Sequence, residues 1–157
     1  MAIPQNKNHL TVALHVRKGG GHDFSSAHMV WPLRFPPVSY YAECLYKLSL
    51  LYPGRPIYAY IFTDDPNPKE IALELEKKVR SSNITFACRE ENSSSAIEDL
   101  FAMMHFDCLI RSLSNFSLLP TLICNYQVVM TPKQSYWLVL DNFTVENYID
   151  EIEVLTR

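Results

Sequence analysis

Thr11-Val12-Ala13-Leu14-His15-Val16-Arg17-Lys18-Gly19-Gly20-Gly21 reads as a short buried β-strand that ends in a basic pair and three of the chain's four glycines. A strand of this kind delivers a guanidinium and an ammonium into a loop where backbone can approach a ligand closely. Arginine offers phosphate oxygens a planar fork of donors, and lysine adds a point charge. A short, mostly apolar run followed by such a loop reads as a buried strand with an anion site at its end. A bound pyrophosphate is the ligand this loop suggests.

The rest of the chain agrees with a single α/β domain. At 157 residues it can bury a full core. Net charge is −3, which gives no ground for nucleic-acid binding and makes the basic loop a local anion pocket. No apolar run approaches the ~18 residues of a membrane span. Met1 to Asn8 is polar, so no signal peptide is expected there, and the first nine residues are expected to be flexible. Cys44, Cys88, Cys108 and Cys124 are widely spaced without a C-x-x-C pair, which argues against zinc and for buried free thiols over disulfides. That usage leans toward a reducing, cytoplasmic setting. Four N-x-S/T sequons, at Asn83, Asn92, Asn115 and Asn142, point the other way and carry little weight, Asn115 lying in a segment that reads as buried.

Strand and helix patterns alternate. Val38 to Leu51 carries Tyr41, Cys44, Leu45, Leu48 and Leu51 at helical spacing between Pro36-Pro37 and Pro53-Gly54. Pro56 to Phe62 is a second strand. Thr63 to Pro68 is a loop, and Pro68 to Arg80 an amphipathic helix with Ile71, Leu75 and Val79 on one stripe. Ile84 to Cys88 is a third strand. Ser95 and Glu98 have capping-box spacing ahead of a helix from Ala96 to about His105. Cys108 to Ile110 is a fourth strand, and Ser114 to Ser117 opens a helix through about Cys124. Val128 to Met130 is a fifth strand. Val145 to Ile152 is expected to be a last helix.

This order predicts a three-layer, Rossmann-like α/β domain around a mostly parallel sheet. Ligands of such sheets bind at the carboxyl ends of the strands. Three loops lie there: Arg17 to Asp23, Thr63 to Pro66, and Arg111 to Ser117. The connection from residue 17 to 36 is long, and a loop of about twenty residues in a compact domain is more often functional than accidental.

The loops carry a resemblance. His15-Val16-Arg17-Lys18-Gly19 resembles the H-x-R-R-G-D motif of the α1,2-, α1,6- and protein O-fucosyltransferases. Tyr60-Ile61-Phe62-Thr63-Asp64-Asp65-Pro66 resembles that family's strand ending in S/T-D-D. The block from Glu98 to Ser117 resembles its acidic residue, helix, short strand and S-x-F-S-type turn, here Ser114-Asn115-Phe116-Ser117. Val128-Val129-Met130-Thr131-Pro132 and then Trp137 keep the order of the α1,2 branch, the nearest pattern. The match runs from about Leu10 to Trp137.

The resemblance implies the C-terminal, donor-binding half of a metal-independent, inverting GT-B glycosyltransferase using GDP-fucose, with no cofactor. It implies that Arg17 grips the β-phosphate and helps GDP leave, with Lys18 beside it. His15 and Asp99 match guanine-contacting positions, and a carboxylate can accept from guanine N1–H and N2–H together. Ser114, Asn115, Phe116 and Ser117 match the turn that faces the phosphates, where a helix dipole would add positive potential. Asp64 and Asp65 read as supportive, without a metal. Asp23, with His22 before it, is the candidate general base on a glycan or protein hydroxyl acceptor. Family enzymes bind the acceptor between two domains. The motif region here begins at residue 10, so a separate acceptor domain is expected to be absent from this chain, which alone should bind GDP weakly and transfer slowly or not at all.

Three departures stand beside these matches. Lys18 replaces the second arginine and loses its fork. Gly20 replaces the aspartate that follows the motif glycine, and Leu118-Leu119 replaces a Trp-Trp pair. They keep open a non-catalytic or degenerate domain that binds a nucleotide or a partner, and an unrelated doubly wound enzyme with another phosphorylated ligand. Each residue also has a plain structural reading: Arg17 and Lys18 as solvated charges, His15 as a core histidine, Asp64-Asp65-Pro66 as a turn, Asp99 as a helix-dipole partner, and Ser114 to Ser117 as an N-cap.

Overall fold

The computed structural model describes residues 8–19, 31–79, 81–89, 95–139 and 145–157. Asp23, His22, Gly20, Gly21, Asn92 and Asn142 lie outside them.

Strand β1 (Leu10–Val16) is buried along its whole length, which is why its sequence is mostly apolar rather than alternating, with Thr11 and His15 as its buried polar residues. It sits inside a six-stranded sheet of order β3-β2-β1-β4-β5-β6, with β2 (Ile57–Thr63), β3 (Ile84–Cys88), β4 (Cys108–Arg111), β5 (Val128–Val139) and β6 (Val145–Thr156). All neighbours through β5 are parallel, and β6 is antiparallel to β5.

Helices α1 (Val38–Leu51), α2 (Pro68–Val79), α3 (Ala96–Met103) and α4 (Asn115–Ile123) complete the described elements. The period-two rule of a strand divides the core cleanly. Leu10, Val12 and Leu14 of β1 pack with Ile57, Ala59 and Ile61 of β2 against Tyr41, Leu45 and Leu48 of α1 and Leu75 of α2. Ala13, Tyr60, Phe62, Leu109 and Val129 point the other way, to Met103 at the end of α3 and Phe116 in α4. The result is the expected three-layer sandwich. The expected capping box is present: the Ser95 hydroxyl accepts from the Glu98 N–H, and the Glu98 carboxylate accepts from the Ser95 N–H at 2.8 Å.

At the opposite end from the site, Asp107 fastens β1 to the start of β4. Its carboxylate accepts from both the N–H and the hydroxyl of Thr11 at 2.9 Å. No helix among the described residues is long and apolar enough to cross a membrane. The four cysteines are free; Cys44 and Cys108 are buried, Cys88 and Cys124 half-buried. Asn115, expected in a buried segment, is exposed at the start of α4.

The end of the chain departs from expectation. β5 continues nine residues beyond Met130, to Val139, and residues 145 to 156 return beside it as strand β6 instead of forming a helix. Tyr148, Ile149 and Ile152 fit a helical stripe as well as a strand. Pairing with a twelve-residue partner decides between them, because strand preference follows the neighbour more than the residue. Pro132 inside β5 is accommodated by register shifts on either side of Gln134, where a proline's missing N–H breaks the ladder least.

Candidate active site

β1, β2 and β4 end together at one edge of the sheet. The chain runs outward from β1 through β2 to β3, then returns to the other side of β1 as β4. That reversal opens a crevice beyond the carboxyl ends of β1 and β4. In the ladder, His15 lies between Phe62 of β2 and Arg111 of β4.

Arg17 leaves β1 next, with 28% of its side chain exposed. Its guanidinium lies over the Phe35 ring, 5.5 Å from the centroid, and its Nε is 3.7 Å from the Asp64 carboxylate. Asp64, one residue past β2, does more than balance charge. Its two oxygens accept from the backbone N–H of Lys18 at 2.7 Å and of Gly19 at 3.1 Å. Gly19 has φ +102°, a conformation that favours glycine. The basic loop is therefore shaped from the neighbouring strand. The Lys18 side chain is exposed, and it is not part of the cleft wall that Arg17 forms.

His15 is buried. Its Nδ1 shares a 3.2 Å hydrogen bond with the Ser112 hydroxyl, and its ring lies 5.5 Å from that of Phe116. Tyr41 donates its hydroxyl to the His15 carbonyl at 2.8 Å. Burial, then the charges of Arg17 and Arg111, push the His15 pKa down to about 4. The imidazole is neutral at pH 7, a hydrogen-bonding group rather than a cation.

The turn after β4 is self-sufficient. Ser114 caps α4, its hydroxyl accepting from the Phe116 N–H at 3.3 Å. An accepting hydroxyl still has its own hydrogen to donate. Ser117 is buried and donates back to the carbonyls of Ser112 and Ser114, so it builds the turn rather than the cleft surface. Arg111, also buried, donates from Nη2 to the Ser114 carbonyl at 2.8 Å, while its Nε is buried without a hydrogen-bond partner. Burial lowers its pKa. Asp99, in the first turn of α3, is gripped by the Arg89 guanidinium through Oδ2.

The cleft has two compartments. The larger, about 410 Å³, is walled by His15, Arg17, Phe62, Asp64, Asp99 and Phe116 among others. The smaller, about 270 Å³, is walled by Arg17, Arg34, Leu113, Ser114, Asn115 and Phe116. Arg17 and Phe116 belong to both. Of the expected site residues, His15, Arg17, Asp99, Ser114, Asn115 and Phe116 thus meet in one cleft, while Lys18 and Ser117 flank it. Arg34, Phe35, Arg111, Ser112 and Arg89 were not among them. Only the unusual length of the loop from residue 17 to 36 hinted at the first two.

No protein-family model matches the chain, and no curated protein sequence matches it. Solved structures do. The fucosyltransferase NodZ from Bradyrhizobium matches with a TM-score of 0.55 and 12% identity, over 96% of this chain and 43% of that one. NodZ α-1,6-fucosyltransferase soaked with GDP-fucose matches with the same score and identity, over 96% and 44%. The same enzyme co-crystallized with GDP matches at 0.55 and 13%, over 96% and 42%. This chain is similar to them in fold, and it spans less than half the length of each.

Proposed function

We propose that the cleft is the donor site of a fucosyltransferase-like glycosyltransferase, and that its ligand is GDP-fucose or a related GDP-sugar. The observation that carries this reading is Arg17. It is fixed between Asp64 and Phe35, at the reversal point of the sheet and opposite the N-terminus of α4. A preset fork of donors facing a helix start suits a phosphate. The likeness in fold to structures studied with GDP and GDP-fucose supports the nucleotide class. Among fucosyltransferases, the turn at Ser114 and the tail from Val128 through Trp137 favour the α1,2 branch, while the solved neighbours are named α-1,6.

In this reading guanine occupies the larger compartment, between Phe116 and Phe62, with Asp99 at its N1–H and N2–H edge. Neutral His15 supplies a further polar contact without repelling the base. In the transfer step an acceptor hydroxyl oxygen forms a bond to the anomeric carbon from the face opposite the diphosphate. The bond from that carbon to the β-phosphate oxygen breaks, its electron pair stays on GDP, and the stereochemistry inverts. Arg17 meets the charge that develops on the leaving oxygen, a contact stronger in the transition state than in the ground state. Asp23 would take the acceptor proton. The acceptor, a glycan or a protein hydroxyl, would be held by a separate domain. A nucleotide-binding domain without transfer is the second reading, favoured by Lys18, whose side chain stands outside the cleft wall.

Calorimetric titration of the chain with GDP, ADP and UDP tests the donor site. Tighter binding of GDP is expected. Equal affinity for the three would remove the guanine assignment, and no binding of any would remove the nucleotide site.

A further inference from the structure

The smaller compartment contains a cation that the loop motif does not include. Arg34 lies over the ring of Phe35, 5.6 Å from its centroid, and Arg17 lies over the same ring at 5.5 Å. Phe35 itself is buried, so this shared surface is fixed. Both arginines wall the 270 Å³ compartment, and Ser114 and Asn115 wall it from the α4 side. Behind Ser114 stands Arg111, a buried guanidinium whose Nε has no hydrogen-bond partner.

Two guanidiniums wall one small space and a third stands behind its Ser114 wall, and an anion in that space offsets their mutual repulsion. Two arginines and the α4 N-terminus line it, so the compartment suits a phosphate and the group attached to it. From this we infer that Arg34 is the second cation of the diphosphate site, doing from the far end of the 17–36 loop what an arginine at position 18 would do. The inference rests on the nucleotide reading above and deepens it. The α-phosphate meets Arg17 at the junction of the two compartments, and the β-phosphate meets Arg17 and Arg34 together in the smaller one. A stacked guanidinium keeps its donors in a fixed plane, so little freedom is lost when it binds.

The test compares GMP, GDP and inorganic pyrophosphate on the whole chain. GMP lacks the phosphate that Arg34 meets. Arg34 is exposed, so its truncation spares the core. Arg34→Ala should lower GDP affinity by about tenfold, about 1.4 kcal/mol, and leave GMP affinity unchanged. Arg34→Lys should restore part of the difference. A wild-type preference for GDP over GMP that survives in Arg34→Ala would overturn the inference and leave the nucleotide site standing. If the wild type binds neither guanosine nucleotide, the nucleotide reading fails, and pyrophosphate decides. Pyrophosphate binding that weakens in Arg34→Ala supports the clamp. Binding that is absent from the wild type, or equal in both proteins, overturns it.

Discussion

Asp64 holds Gly19 across the sheet edge: its Oδ2 accepts the Gly19 N–H at 3.1 Å, while Oδ1 takes that of Lys18. The H-x-R-R-G-D motif that this stretch resembles ends in an aspartate, and this chain has glycine at that place, position 20. The Asp64 carboxylate, one residue past β2, holds Lys18 and Gly19 in its place. Asp64→Ala should therefore free the loop. It should destabilise the fold by about 1–2 kcal/mol, the range for hydrogen bonds to a partly exposed charged group, read by urea denaturation. GDP affinity should fall with it. Asp64→Asn, which keeps one acceptor, should lose less. Unchanged stability and binding in Asp64→Ala would show the loop to be ordered by other contacts.

Gly19→Ala tests the same loop from the backbone. At φ +102° a Cβ is strained, and a non-glycine residue held there costs on the order of 1–3 kcal/mol. The loop should relax away from Asp64, so the variant should lose GDP affinity together with stability. A variant of wild-type stability would mean that the strained geometry is not kept in solution.

His15 gives a pH signature of definite sign. Its folded pKa, about 4, lies below the ordinary value of 6.5. Between those values the unfolded chain takes a proton that the folded chain refuses. Stability from this group is intact above pH 6.5, falls as the pH drops toward 4, and falls no further below that. The loss is on the order of 3 kcal/mol at the low end. His15→Gln should flatten that part of the curve relative to wild type, measured by denaturation from pH 7 to 4. Parallel curves for the two proteins would mean that His15 titrates normally.

Arg111 is one of the charges that hold the His15 pKa down, after burial and Arg17. Arg111→Met keeps the volume and removes the charge. The His15 pKa, followed by NMR, should rise, and phosphate affinity should fall because the potential behind Ser114 is lost. An unmoved His15 pKa would place the Arg111 charge too far away to matter.

How much of this was legible depends on how local the signal is. β1 and α1 are legible because a strand buried on both faces is mostly apolar, and because prolines mark both ends of the helix. The Ser95–Glu98 capping box and the Ser114 cap are contained within four residues, so spacing alone reveals them. β6 is not legible locally, since Tyr148, Ile149 and Ile152 fit a helical stripe as well as a strand, and its pairing with β5 is a tertiary fact. The site divides in the same way. Arg17 and the turn at Ser114 announce themselves by local pattern. Asp64 on the Gly19 N–H, Arg34 beside Arg17 on Phe35, and Ser112 on His15 are meetings that only the folded sheet arranges.

Asp99 and Arg89 decide base selectivity in this reading. Reading guanine N1–H and N2–H takes both carboxylate oxygens, and Oδ2 already meets Arg89. An oxygen has two lone pairs, so the arginine orients Asp99 while leaving room for a base donor. Asp99→Asn replaces an acceptor with an NH2 that opposes a guanine donor. A bidentate base contact is worth about 1–3 kcal/mol of discrimination, so the preference for GDP over ADP should shrink by about tenfold or more. Arg89→Ala should weaken GDP binding less, since the carboxylate remains but is no longer held. Competition of GDP and ADP against a fluorescent guanine nucleotide measures both. If Asp99→Asn retains the full preference for GDP, guanine is read by another group and Asp99 serves the first turn of α3.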